Sequence, residues 1–195
     1  MSIFVLRHEE RGLDSTYFSS LTLKGKQNSV NLVEKLERLK IDVIYCSPFL
    51  RTIQTIYPYA IRNNKQINLE TALYESIHTN SFNKDSYIHS YKELLDENPG
   101  FTDIINENYR SYIDINKLQF PENNLNDLYK RIKPFIQWIN ENHKHDNVLL
   151  VTHMSPIIAI KNIIKKNDNM DLSLINEPWG GPEFAMGHVE CIKID

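Results

Sequence analysis

The chain opens on a run of apolar residues suited to a strand, Ile3-Phe4-Val5-Leu6, that passes straight into the charged segment Arg7-His8-Glu9-Glu10-Arg11. After a polar stretch, Val30, Leu32, Val33, Leu36 and Leu39 recur near the helical period. They predict an amphipathic helix to about Lys40, with Thr22 as its N-cap. Asp42 to Cys46 reads as a second strand, and Ser47-Pro48 as an N-cap with proline in the first turn of a helix running to about Ile61. A short strand around Ile67 to Leu69 follows the polar turn Asn63-Asn64-Lys65-Gln66. Strand, helix, strand, helix, strand predicts an α/β fold built on a mostly parallel sheet flanked by helices.

From about residue 76 to 125 the pattern changes. This stretch predicts a mainly helical insertion, a cap over one edge of the core, inside a single domain spanning 1–195. Helical spacing returns with Leu125, Leu128, Ile132, Phe135, Ile136 and Ile139, and stops before His143-Lys144-His145-Asp146-Asn147. Val148-Leu149-Leu150-Val151-Thr152 is the clearest buried strand, and it runs into His153 as the first strand runs into Arg7-His8. Met154 to Lys166 reads as a helix, and Val189 to Ile194 as a last strand at an edge.

Composition narrows the function classes. A formal net charge of −3 and a pI near 6.2 leave no basic footprint for nucleic acid. No apolar run approaches the ~18 residues of a membrane span, and Arg7 arrives too early for a secretory leader, so a soluble, cytoplasmic protein is expected. Two cysteines, Cys46 and Cys191, are too few for a disulfide framework. Both sit at predicted strands and are expected to be reduced, small apolar residues.

Four predicted strands end at Arg7-His8, at Ser47 with Arg51 one turn later, just before Glu75, and at His153. In a parallel sheet these side chains gather at one rim, which assembles two histidines, two arginines and a carboxylate. Such a set suits phosphoryl transfer: one histidine attacks phosphorus, the cations neutralise the oxygens, and the acid protonates the leaving oxygen.

Leu6-Arg7-His8, Cys46-Ser47-Pro48-Phe49-Leu50-Arg51-Thr52-Ile53-Gln54-Thr55, Leu73-Tyr74-Glu75 and Val151-Thr152-His153 resemble the signature segments of the histidine phosphatase superfamily, also called phosphoglycerate mutase-like. The resemblance implies a three-layer α/β/α sandwich and a phosphatase acting on small-molecule or peptide phosphomonoesters without metal or cofactor. It implies His8 as the phosphorylated nucleophile, Arg7, Arg51 and His153 as the phosphate pocket, and Glu75 as the proton donor, preferred over nearby Glu70. Two positions depart from the family pattern. Glu9 replaces the usual glycine, and its carboxylate would weaken the site unless it turned to solvent or paired with Arg11. Met154 follows the second histidine, where His153-Met154-Ser155 is similar to the His-Ala-Ser of the phosphatase domains in suppressors of T-cell receptor signalling. Glu9 motivates an alternative, a catalytically weak phospho-ligand binder of the same fold. A phosphoglycerate mutase is the weaker alternative, because the chain has no Trp-Asn pair.

Other signals carry less. Cys46 and Arg51 lack the spacing of a cysteine phosphatase loop, and Pro48 removes one of the N–H groups such a loop needs. His143 and His145 have no metal-binding partner nearby and read as a polar helix end, Trp138 as core, and Trp179-Gly180-Gly181-Pro182 as a tight turn, with lining of the site from the C-terminal side its less favoured reading. Residues 76–125 hold eight acids against four bases, with seven aromatics, which predicts a monoester with a flat or apolar leaving group.

Overall fold

The computed structural model describes residues 1–14, 16–76, 91–118, 121–122, 125–165 and 185–193. Its sheet has the order β3-β2-β4-β1-β5, formed by β1 (Ser2–Arg7), β2 (Val43–Cys46), β3 (Asn68–Leu69), β4 (Asn147–Thr152) and β5 (Val189–Lys193). β1, β2, β3 and β4 are parallel, and β5 closes the far edge antiparallel to β1. Successive side chains of a strand point to opposite faces, so each buried strand feeds two cores. Phe4, Leu6, Leu149 and Val151 pack under α1 (Leu23–Asn31), α2 (Val33–Glu37) and α3 (Leu50–Arg62). Ile3, Val5, Val148 and Leu150 pack under α5 (Leu125–Asn142) and α6 (Met154–Ile164). The result is the expected α/β sandwich with helices on both faces.

Register decides what meets at the rim. Arg7 lies opposite Thr152, and Cys46 opposite both Val151 and Leu69. β1, β2, β3 and β4 therefore end level, and the residues after them emerge side by side at the carboxyl edge, where parallel sheets bind ligands.

Several local expectations change. Thr22 caps α1 as predicted, accepting from the Gly25 N–H at 3.0 Å, but the amphipathic stripe is divided between α1 and α2. Leu32 between them keeps helical angles, Val30 faces solvent at 54% exposure, and helix ends at Glu37, because the chain turns through Lys40 at φ 51°. The predicted start of α3 at Ser47-Pro48 is also wrong. Phe49 is the N-cap and the helix begins at Leu50, because the Ser47 hydroxyl is engaged by His153. Cys46 is buried, whereas Cys191 projects outward from edge strand β5; both are free thiols. Beyond β3, the described part of the insertion holds α4 (Tyr91–Glu97) and the short 3-10 segments Pro99–Ile104 and Ile115–Lys117. Its Ile105 bridges Ile67 beside β3, so this stretch abuts the sheet edge. Residues 77–90 and Trp179-Gly180-Gly181-Pro182 lie outside the described residues. No described helix is long and apolar enough to cross a membrane.

Candidate active site

His8 is the first residue past β1, and its N–H continues the ladder onto the Thr152 carbonyl at 3.0 Å. Its ring Nδ1 lies 2.8 Å from the Glu9 carbonyl oxygen. A carbonyl only accepts, so Nδ1 carries the proton and Nε2 keeps its lone pair. His153 follows β4 and is the N-cap residue of α6. Its Nε2 lies 3.0 Å from the Ser47 hydroxyl, and its Nδ1 3.6 Å from a Glu75 carboxylate oxygen. The two imidazole centroids stand 5.2 Å apart.

Arg51, in the first turn of α3, is only 1% exposed. Its guanidinium lies 4.5 Å over the Phe49 ring and donates to the Thr16 carbonyl at 3.0 Å, so its fork is held in place before any ligand arrives. Neighbouring residues of the same segment lock the surrounding loops. Thr52 Oγ1 donates to the Ser47 carbonyl, Gln54 accepts from the Leu21 N–H, and Thr55 accepts from the Glu9 N–H at 2.9 Å. Arg7 ends β1 half-buried; burial lowers its pKa and the nearby Glu75 carboxylate raises it.

Burial, reinforced by the Arg51 guanidinium, pushes both His8 and His153 well below the usual imidazole range, and each also feels Arg7. The site therefore holds two neutral imidazoles among fixed cations. A dianionic phosphate fits that field, and a neutral imidazole is the nucleophilic form.

The two acids separate clearly. Glu70 is fully buried, and its carboxylate accepts from the N–H groups of Ala72 and Tyr112, both at 2.7 Å, and from the Tyr109 and Ser111 hydroxyls. Burial raises its pKa against those donors. Glu75, two residues past the 3-10 turn Thr71–Leu73, is the acid that faces His153.

Glu9 neither turns to solvent nor depends on Arg11. It is 4% exposed, with its carboxylate accepting from the Asn28 amide at 3.2 Å and packing on Gly187. Arg11 donates instead to the carbonyls of Gly12 and Asp14. Gly187 makes room for this arrangement. It sits at φ +71°, and a Cβ there would overlap the Glu9 carboxylate.

Sequence reading misses two residues, Ser47 beside His153 and Arg131, which donates to the Glu75 carbonyl. Ser47 reads locally as a helix cap, and no local signal marks it as a partner of His153. Arg131 had a signal: it shares a helical stripe with Leu128, Ile132 and Phe135, where a charge is out of place. Cys46 is a buried thiol with its pKa pushed up by burial, which keeps it from acting as a thiolate. His143 bridges Asp146 and the Tyr45 hydroxyl. Among the described residues, no group of three or more His, Cys, Asp or Glu is arranged to hold a metal.

Comparisons with known proteins agree with this architecture. The sequence model of the histidine phosphatase superfamily (branch 1) matches residues 7–175. Phosphoserine phosphatase 1 of Hydrogenobacter thermophilus is 26% identical over 142 residues, which cover 72% of this chain and 62% of that relative's length. The crystal structure of the ecdysone phosphate phosphatase EPPase from Bombix mori, in complex with tungstate, superposes with a TM-score of 0.71 at 15% identity, covering 98% of this chain and 88% of that one. Bacillus stearothermophilus YhfR gives 0.66 at 21% identity, covering 100% and 91%. With four strand ends converging on one rim and a family match over most of its length, the chain belongs to the histidine phosphatase superfamily.

Proposed function

We propose that this protein hydrolyses phosphomonoesters through a phosphohistidine on His8. The observation that carries this reading is the level ending of β1 and β4. It sets a neutral His8, with Nε2 unprotonated, beside His153 and Glu75. In the first step Nε2 attacks phosphorus while Arg7, Arg51 and His153 hold the equatorial oxygens, and Glu75 gives its proton to the departing oxygen. In the second step the Glu75 carboxylate takes a proton from water, the hydroxide attacks phosphorus, the N–P bond breaks, and inorganic phosphate leaves with His8 restored. Relatives named as phosphatases of phosphoserine and ecdysone phosphate support monoester chemistry, and the tungstate in one of them is an oxyanion of the same shape class.

For the leaving group, a cavity of about 340 Å³ lies beside the 71–74 backbone, with apolar and aromatic walls that include Pro48, Leu69, Tyr91 and Tyr109, and with Arg110 and Asp114 as its charged residues. The apolar majority of this lining, with one cation beside one acid, supports a flat or apolar leaving group over a second phosphate. The Glu9 carboxylate, buried against Asn28 and Gly187, meets neither condition that would spare the site, so a catalytically weak phospho-ligand binder of the same fold stays the second reading.

Incubation with a labelled phosphodonor should leave an acid-labile, base-stable phosphoryl group that His8→Asn abolishes. Phosphate binding without such a label at any pH would overturn the mechanism. An aryl phosphate should exceed 2,3-bisphosphoglycerate and fructose 2,6-bisphosphate in kcat/KM, and a preference for either bisphosphate would overturn the substrate class.

A further inference from the structure

Glu75 stands on backbone that belongs to no helix or strand, and such backbone beside a buried site needs partners for its carbonyls. One side chain supplies most of them. Arg131 of α5 donates from Nη1 to the carbonyls of Ala72 at 2.8 Å, Tyr74 at 3.2 Å and Thr71 at 3.4 Å. From Nη2 it donates to Tyr74 at 3.2 Å and to Glu75 itself at 3.1 Å. The Leu73 carbonyl is taken by the Thr152 hydroxyl at 2.7 Å. Arg131 is in turn held by Glu122, Nε to Oε1 at 2.7 Å, with both side chains almost fully buried.

A buried ion pair on an otherwise apolar helix stripe is a poor way to gain stability, since desolvation offsets most of the attraction. It is a good way to hold one conformation, because a planar fork fixes several carbonyls at once. We propose that Arg131, oriented by Glu122, is a positioning residue that holds the 71–75 backbone so that the Glu75 carboxylate stays where the leaving oxygen needs it. This rests on the phosphatase reading above, with Glu75 as proton donor.

The test measures kcat/KM, which reads the steps up to departure of the leaving alcohol and excludes the second step common to both esters, on an alkyl phosphate and on p-nitrophenyl phosphate, whose leaving group needs little protonation, for wild type, Glu75→Gln, Arg131→Lys, Glu122→Gln and the Glu75→Gln/Arg131→Lys double variant. Thermal melts by circular dichroism accompany each. Lysine keeps the charge but loses the fork, so Arg131→Lys should lower kcat/KM on the alkyl ester by about 100-fold, the effect that misplacing a reacting group by about an ångström can have, and on the nitrophenyl ester by only about 3-fold. In the Glu75→Gln background the same change should cost little more. Glu122→Gln should follow the same pattern more weakly, and it provides the reading if Arg131→Lys melts below the assay temperature. Equal losses on both esters, or a full second loss in the double variant, would overturn the positioning role alone. An active wild type whose Glu75→Gln variant shows no ester selectivity would instead overturn the proton-donor reading, and this inference with it.

Discussion

Acidification below about pH 6.5 should destabilise this protein steeply, because His8 and His153 are 3% and 0% exposed and are held neutral. In the unfolded chain both imidazoles take up protons as the pH falls through about 6.5. In the folded chain burial and the Arg51 guanidinium resist that uptake. The unfolded state therefore binds more protons, and stability present above that pH is lost as pH falls, until the lowered folded-state values are reached. Each imidazole contributes at most about 1.4 kcal/mol per pH unit, and the pair about 2.7 kcal/mol. For a chain of this length that is roughly 5–10 °C of Tm per pH unit. Calorimetric melts at half-unit steps, compared among wild type, His8→Asn, His153→Asn and the double variant, isolate the effect. Glu70, raised by burial, acts in the opposite sense but is common to all four proteins. The double variant should lose the steep component and each single variant about half of it. A double variant with the wild-type slope would refute the reasoning. The same neutral His8 places the acid limb of kcat/KM below the ordinary imidazole pKa.

Four further outcomes are expected. Arg7→Ala should cut kcat/KM by about 100-fold or more with little change in Tm. Arg51→Ala should lose both activity and stability, because that side chain is buried against Phe49 and Thr16; Tm falling equally in the two variants would contradict this. Ser47→Ala removes the hydroxyl partner of His153 and should lower kcat/KM by about 5-fold, the worth of a ~1 kcal/mol hydrogen bond; unchanged steady-state kinetics would count against it. Gly25→Ala drives a Cβ into the Glu10 carbonyl oxygen, a backbone atom with little room to give, and should lower Tm by roughly 5–10 °C, checked by a melt.

The sandwich and most of the rim were legible because they rest on local pattern. Val148 to Thr152 is an apolar run that a buried parallel strand requires, and its end, like that of Ile3 to Leu6, marks where a polar side chain must leave the core. Nothing in that pattern decides which of two nearby acids faces the site. Glu70 directly follows β3 and is consumed by N–H and hydroxyl donors from the 71–72 turn and the 109–112 segment, leaving Glu75 to meet His153. The partners of Ser47 and Glu9 are hidden for the same reason. Local spacing makes Ser47 a helix cap and leaves the direction of Glu9 open, whereas His153 claims the one, and Asn28 and Gly187 the other, across the fold. Apolar period and strand-end position are properties of neighbouring residues, which the chain carries before folding. The partner of a buried polar side chain is whichever donor or acceptor the register delivers within about 3 Å, and that exists only after the sheet and its helices have packed.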